Sequence, residues 1–169
     1  MATSSITETT QFLTFILADE VFAVDIGRVK EVLEYTQLTK VPRTPKFMCG
    51  VINLRGSVVP VMDMRLKFNM SQLERTVNTC IIIIEVTVGE NKTVLGAMAD
   101  SVKEVMSLDP DQIDPPPKIG AKLRTDFIRG MGKQGDHFII ILDTDKVFSA
   151  EELEQVMDMR NGGMPEAAA

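Results

Sequence analysis

Nucleophilic catalysis needs a Ser, Thr or Cys next to a base. The single histidine, His137, opens an apolar run, so a Cys/His or Ser/His pair would have to arise through tertiary proximity. The plain reading of His137 is a polar residue at a strand end. Cys49 and Cys80 have no C-x-x-C spacing and read as buried thiols of a reducing compartment. There is no H-E-x-x-H and no Cys/His cluster, so neither a metal nor a cofactor is expected. Gly130, Gly132 and Gly135 spell G-x-G-x-x-G, but that fingerprint must follow a strand and open a helix, and here a strand comes after it. The match is read as accidental. With 24 acidic residues, chance carboxylate pairs are inevitable and give no specific acid/base signal. The remaining candidate chemistry is recognition. Arg55 lies in the turn Asn53-Leu54-Arg55-Gly56, where Gly56 supplies a positive φ and the guanidinium is offered as a fork to a carboxylate or carbonyl. On its own that pattern describes a free surface arginine, with Asn53 bonded to its own turn.

Such a turn has to be held by strands, and strand signals dominate the chain. Short stretches rich in β-branched residues, bounded by Gly, Pro, Asn or Asp, occur at 11–17, 20–24, 37–41, 58–62, 79–86, 93–99, 102–108 and 137–143. Ala18-Asp19 and Gly89-Glu90-Asn91 read as hairpin loops. Ile81 to Ile84 and Ile139 to Leu142 lack polar alternation, so those strands are expected to be central and covered on both faces. Pro60 suggests an edge or bulge and Asp63 a turn or cap. Residues 25–33 are ambiguous between a helical turn capped by Asp25 and a strand, and 46–49 suit a single turn. Pro110, Pro115, Pro116 and Pro117 mark an extended connection in which no ladder strand is expected. Ser149-Ala150-Glu151-Glu152 is a capping box that predicts a short C-terminal helix, followed by a disordered tail over 161–169.

At 169 residues, with 44% hydrophobic and 25% charged side chains, the chain is a soluble globular protein of ordinary domain size. Its net charge of -6 argues against nucleic-acid binding and against anionic lipid surfaces. No apolar run is long enough to insert into a membrane, and the first ten residues lack the features of an export signal, so a cytoplasmic location is expected. Eleven methionines are most simply core fillers.

A weak internal repeat organises the chain. Val21 to Val24 and Val29-Lys30-Glu31-Val32 recur as Val94 to Ala97 and Val102-Lys103-Glu104-Val105. Gly50, Val58-Val59, Val61-Met62-Asp63 and Phe68 recur as Gly130, Phe138-Ile139, Ile141-Leu142-Asp143 and Phe148. The expected fold is all-β: two five-stranded barrels sharing a hydrophobic seam, with a short C-terminal helix. The expected division is a flexible N-terminus over 1–10, a first barrel over 11–75, a second over 76–150, and a helix with a disordered tail over 151–169.

From about 11 to 153 the sequence resembles the CheW family of bacterial chemotaxis coupling proteins. The resemblance is carried above all by the string G-V-x-N-L-R-G-x-x-x-P-V-x-D-x-R from Gly50 to Arg65. It implies one CheW-like domain made of two SH3-like barrels. It also implies a non-enzymatic adaptor between the cytoplasmic tips of methyl-accepting receptors and the regulatory domain of the histidine kinase CheA, located in receptor arrays at the inner face of the membrane. Val29, Lys30, Glu31, Gly50 and Arg55 match family positions for receptor contact, with Asn53 and Gly56 in the same turn. From the residues alone, Val29 would be core and the charges a solvated face. The kinase's regulatory domain resembles the same two-barrel unit, which implies barrel-to-barrel pairing, a monomer on its own and rings within arrays. Residues 113–119 are the expected kinase contact. They are stiffened by proline, Ile113 and Ile119 are apolar, and Asp114 and Lys118 are charges that would steer docking. The plainer alternative leaves Ile119 in the core of an ordinary connection.

Overall fold

A computed structural model describes residues 8–68, 70–71, 74–88, 90–116 and 127–148. Eleven strands run β1 Thr10–Leu17, β2 Glu20–Asp25, β3 Val29–Glu34, β4 Met48–Leu54, β5 Ser57–Asp63, β6 Cys80–Val88, β7 Asn91–Ala99, β8 Ser101–Leu108, β9 Ile113–Asp114, β10 Ile128–Gln134 and β11 His137–Leu142. One short helix, α1 Met64–Lys67, follows β5. The chain is all-β, in two mixed sheets ordered β8-β1-β2-β11-β10-β9 and β3-β6-β7-β5-β4. The expected C-terminal helix and tail lie outside the described residues.

Two of the hairpins form where two successive residues accept positive φ, which matches the right-handed twist of the flanking strands. Ala18 (φ 50) and Asp19 (φ 71) close β1–β2, and Arg55 (φ 52) and Gly56 (φ 90) close β4–β5. Asp25 does cap a helical turn, a single 3-10 turn over Ile26–Arg28, by accepting a bond from Gly27 N at 2.8 Å, and β3 follows directly. Asp63 caps α1, accepting from Arg65 N at 2.9 Å. Pro60 pairs only with Val51, and β5 gains its second neighbour from Val61 onward, so the missing N–H falls on a locally open edge.

Two expectations are corrected. Residues 37–41 form no strand; Thr39 alone bridges to Val51, because Pro42 and Pro45 interrupt any longer ladder. The proline-flanked connection does carry a ladder strand. β9 pairs Ile113 with Gly132 and Asp114 with Met131, fitting between Pro110 and Pro115 because neither ladder residue is a proline.

The strands also fail to sort at the 75/76 boundary. Residues 10–25 join residues 101–142 in one sheet, and the other sheet is built from residues within 29–99. Expressed through the repeat, each sheet takes its first two strands from one half and the rest from the other. Connector length is the cause. Only 26–28 separate β2 from β3, and Asp100 alone separates β7 from β8. Neither connector is shaped as a hairpin turn, so at both points the chain passes into the other sheet instead of reversing within its own.

Three apolar clusters result. Phe12, Ala23, Leu108, Ile139 and Ile141 fill the first sheet's interior, and Ile52, Val59, Val61, Ile81, Ile83 and Met98 fill the second's. Between the sheets lies a larger core that includes Phe15, Phe22, Ile82, Ile84, Leu95 and Leu142. β6 therefore sends Ile81 and Ile83 to one core and Ile82 and Ile84 to the other, which accounts for its lack of polar alternation. β11 does the same.

Both sheet crossings carry an arginine clasp. Arg28 grips Asp145 with two bonds of 3.0 and 2.8 Å, and Asp145 also accepts Thr87 N at 2.9 Å. At the other crossing Arg65 grips Asp100 (Nη2 to Oδ2 2.6 Å), which in turn accepts Ala18 N at 2.8 Å. Each Asp is held by a charge-assisted pair and a backbone donor, so removing either one strands partners as well as breaking the pair. The hydrogen bond to Asp100 holds the Arg65 guanidinium firmly protonated.

Candidate functional site

Glu31 on β3 and Arg55 in the β4–β5 turn meet across the mouth of the second sheet. Arg55 Nη1 lies 3.4 Å from Glu31 Oε1, and Nη2 bonds Oε2. Arg55 adopts left-handed φ, which costs a non-glycine residue about 1 kcal/mol or more. Asn53 offsets this by accepting Gly56 N at 2.7 Å, as its sequence position suggested. The hydrogen bond from Arg55 holds the Glu31 carboxyl below the usual carboxylate range, so the pair is fully charged at neutral pH. The guanidinium side chain is 71% exposed against 27% for Glu31. Arg55 is thus aimed by Glu31 but retains donors for a partner.

The remaining expected residues separate. Gly50 is buried against the backbone of Thr39, Lys30 is exposed and paired with Glu85 at 3.7 Å, and Val29 is half-buried against the core between the sheets. Two apolar residues not singled out from the sequence lie beside the ion pair in the chain. Val32 is 42% exposed on β3, and Val58, on β5 just after the turn, is 37% exposed. Alternation was the available signal: along β3 the burial pattern is strict period two, placing Val32 on the outward side with Lys30 and Glu34.

In the second candidate region, Asp114 pairs with Lys133 at 3.2 Å and Ile113 packs against the first sheet's interior. Lys118 and Ile119 lie outside the described residues. β9 is the terminal strand of its sheet.

Among the described residues no group of three His, Cys, Asp or Glu side chains gathers to hold a metal ion, and no helix is long and apolar enough to cross a membrane. Burial, joined by the charge of Asp63, pushes the Cys49 thiol up to about 12; burial, joined by Asp100, pushes Cys80 up to about 11. Neither is a nucleophile at neutral pH. Native protein treated with a thiol reagent near neutral pH should leave both unmodified, with modification appearing once denaturant is added. Each folded-state value lies above the ordinary 9.0, so the stability this burial contributes is complete below about 9 and is lost as pH rises toward 11 to 12. A urea titration repeated at rising pH checks that direction.

The CheW-like domain family matches residues 11–152. The chemotaxis protein CheW of Klebsiella aerogenes is 36% identical over 146 residues, covering 86% of each chain. That of Rhizobium meliloti is 32% identical over 144 residues, 85% of this chain and 90% of the relative. The crystal structure of the scaffolding protein TtCheW from Thermoanaerobacter tengcongensis superposes with a TM-score of 0.74 at 34% identity, covering 85% of this chain and 94% of that one. Two SH3-like sheets, the Gly50 to Arg65 string folded as a β4–β5 hairpin and a family match over most of the length lead to one conclusion: the chain belongs to the CheW-like domain family of chemotaxis scaffold proteins.

Proposed function

We propose that the protein is a non-enzymatic adaptor that couples methyl-accepting receptor tips to the histidine kinase CheA, with the Glu31–Arg55 site as its receptor face. The observation that carries this reading is an exposed arginine held in left-handed backbone by its own turn and aimed by a carboxylate from a different strand. A group positioned at such cost is suited to a directional contact. Arg55 supplies the polar contact for a receptor helix, and Val58, just after the turn, supplies exposed apolar surface next to it in the chain. The kinase's regulatory domain takes a separate surface around 113–119, where β9 is the terminal strand of its sheet among the described residues. Separate faces let the adaptor hold both partners at once and build rings in the array.

The test is Arg55→Asp, titrated calorimetrically against a receptor cytoplasmic fragment alongside a thermal melt. A wrong charge at a desolvated contact costs about 2 to 5 kcal/mol, so affinity should fall by roughly thirty-fold to several thousand-fold while kinase binding is retained. A folded variant that binds the receptor as the parent does removes Arg55 from the site.

A further inference from the structure

Residues 35–47 connect β3 to β4 as an ordered wall without regular structure. Thr39 and Val51 exchange both backbone bonds (2.9 and 2.8 Å), Met48 N donates to Pro45 O at 3.0 Å, and Thr44 Oγ1 donates to Val41 O at 3.2 Å. This wall, α1, β7 and Arg75 enclose a cleft of about 560 Å³. Met48 and Met98, both buried, and Leu66 give the cleft an apolar floor. Around it stand Lys40, Lys46 and Arg75, all exposed, the last stacked 4.1 Å over the Tyr35 ring. None of the three cations makes an ion pair with a described residue. The acid on the lining, Asp63, is 3% exposed and uses its carboxylate to cap α1. Three uncompensated cations around an apolar floor are an uneven feature on a chain with net charge -6.

We propose that this cleft docks an acidic segment of a partner protein: one apolar side chain enters over Met48, Leu66 and Met98, and flanking carboxylates meet Lys40, Lys46 and Arg75. The apolar floor has no use for a small inorganic anion, and the donors sit on exposed side chains at the rim, where they reach carboxylates spaced along a peptide. Arg75 keeps its edge N–H groups available for a carboxylate while its face lies on Tyr35. The wall is already pinned by backbone bonds and prolines, so little ordering is left to occur on docking. Opposite charge at the rim also speeds encounter and makes binding sensitive to salt. The inference stands apart from the receptor reading, since it uses neither Arg55 nor Glu31.

The probe is the acetylated peptide Glu-Glu-Leu-Phe-Glu-Glu, titrated at low salt into the isotope-labelled full chain and followed by amide chemical shifts. Shifts are expected at 37–49, 63–66 and 75, with at least about tenfold weaker binding of the Gln-for-Glu peptide. Lys46→Glu combined with Arg75→Glu should weaken the acidic peptide by at least about tenfold with an unchanged melt, Lys46→Gln should give a smaller loss, and Arg55→Asp should leave binding as it was. Shifts confined to other surfaces, equal affinity for the two peptides, or displacement of the peptide by inorganic pyrophosphate would each overturn the proposal, the last by exposing a small-anion site.

Discussion

Expressed separately, residues 11–75 and 76–150 should each remain unfolded, and mixing them should restore a cooperative, folded complex. Within the first fragment β1 and β2 lack β8 and β11, β3 lacks β6, and the β4–β5 hairpin lacks β7. What remains is two isolated hairpins, which are marginal in water at best. The core between the sheets draws on both fragments, Phe15 and Phe22 from one and Ile82, Ile84 and Leu95 from the other, so neither fragment can close it alone. The expected loss is the whole stability of the domain, typically about 5 to 15 kcal/mol. Circular dichroism melts and amide dispersion of each fragment, alone and mixed, measure this. A cooperative melt from either fragment alone would contradict the interleaved strand order.

Gly50→Ala should be the most damaging single methyl added near the site. Gly50 has φ +152, and a Cβ there would lie 2.5 Å from Thr39 O and 3.2 Å from Leu38 Cβ. The first obstacle is backbone held by the Thr39–Val51 bonds, so it cannot swing aside as a side-chain tip would. Backbone strain and overpacking together suggest a cost of about 3 kcal/mol, or roughly 6 to 12 °C in Tm for a chain of this size. Gly130, its counterpart in the repeat, is a built-in comparison. A Cβ there meets Ile113 Cγ2 at 2.7 Å, a movable methyl, and Asp114 O at a less severe 3.1 Å. Gly130→Ala should therefore cost less than half as much by the same thermal melts. Equal losses at the two glycines would show that the wall over Gly50 yields as easily as a side chain.

Much of the local structure was legible because its causes are local. Strand positions followed from β-branched runs, and seven of the eight expected strands are present within a few residues at their ends. Ile81 to Ile84 read as central because an unbroken apolar run has to be covered on both sides, and both cores are there to cover it. The Asn53 bond to the Arg55-Gly56 turn was readable for the same reason, since it spans three residues. The strand wrongly expected at 37–41 and the unexpected β9 are failures of the same local rules near prolines, where a single exchanged bridge or a two-residue ladder suffices.

Local patterning was enough to read most strand positions, which faces are apolar, that one unit occurs twice, and the family string around Arg55. Tertiary structure alone decided which copy of each strand pairs with which, that Glu31 is the carboxylate that aims Arg55, and that Lys40, Lys46 and Arg75 share one rim. The physical reason lies in the repeat. Period-two patterning tells a strand which side to bury but not beside whom, and two similar halves offer each strand two partners that satisfy it equally. The choice passes to the geometry of two short connectors, 26–28 and Asp100, which cross between the sheets where a hairpin turn would have sorted the halves apart.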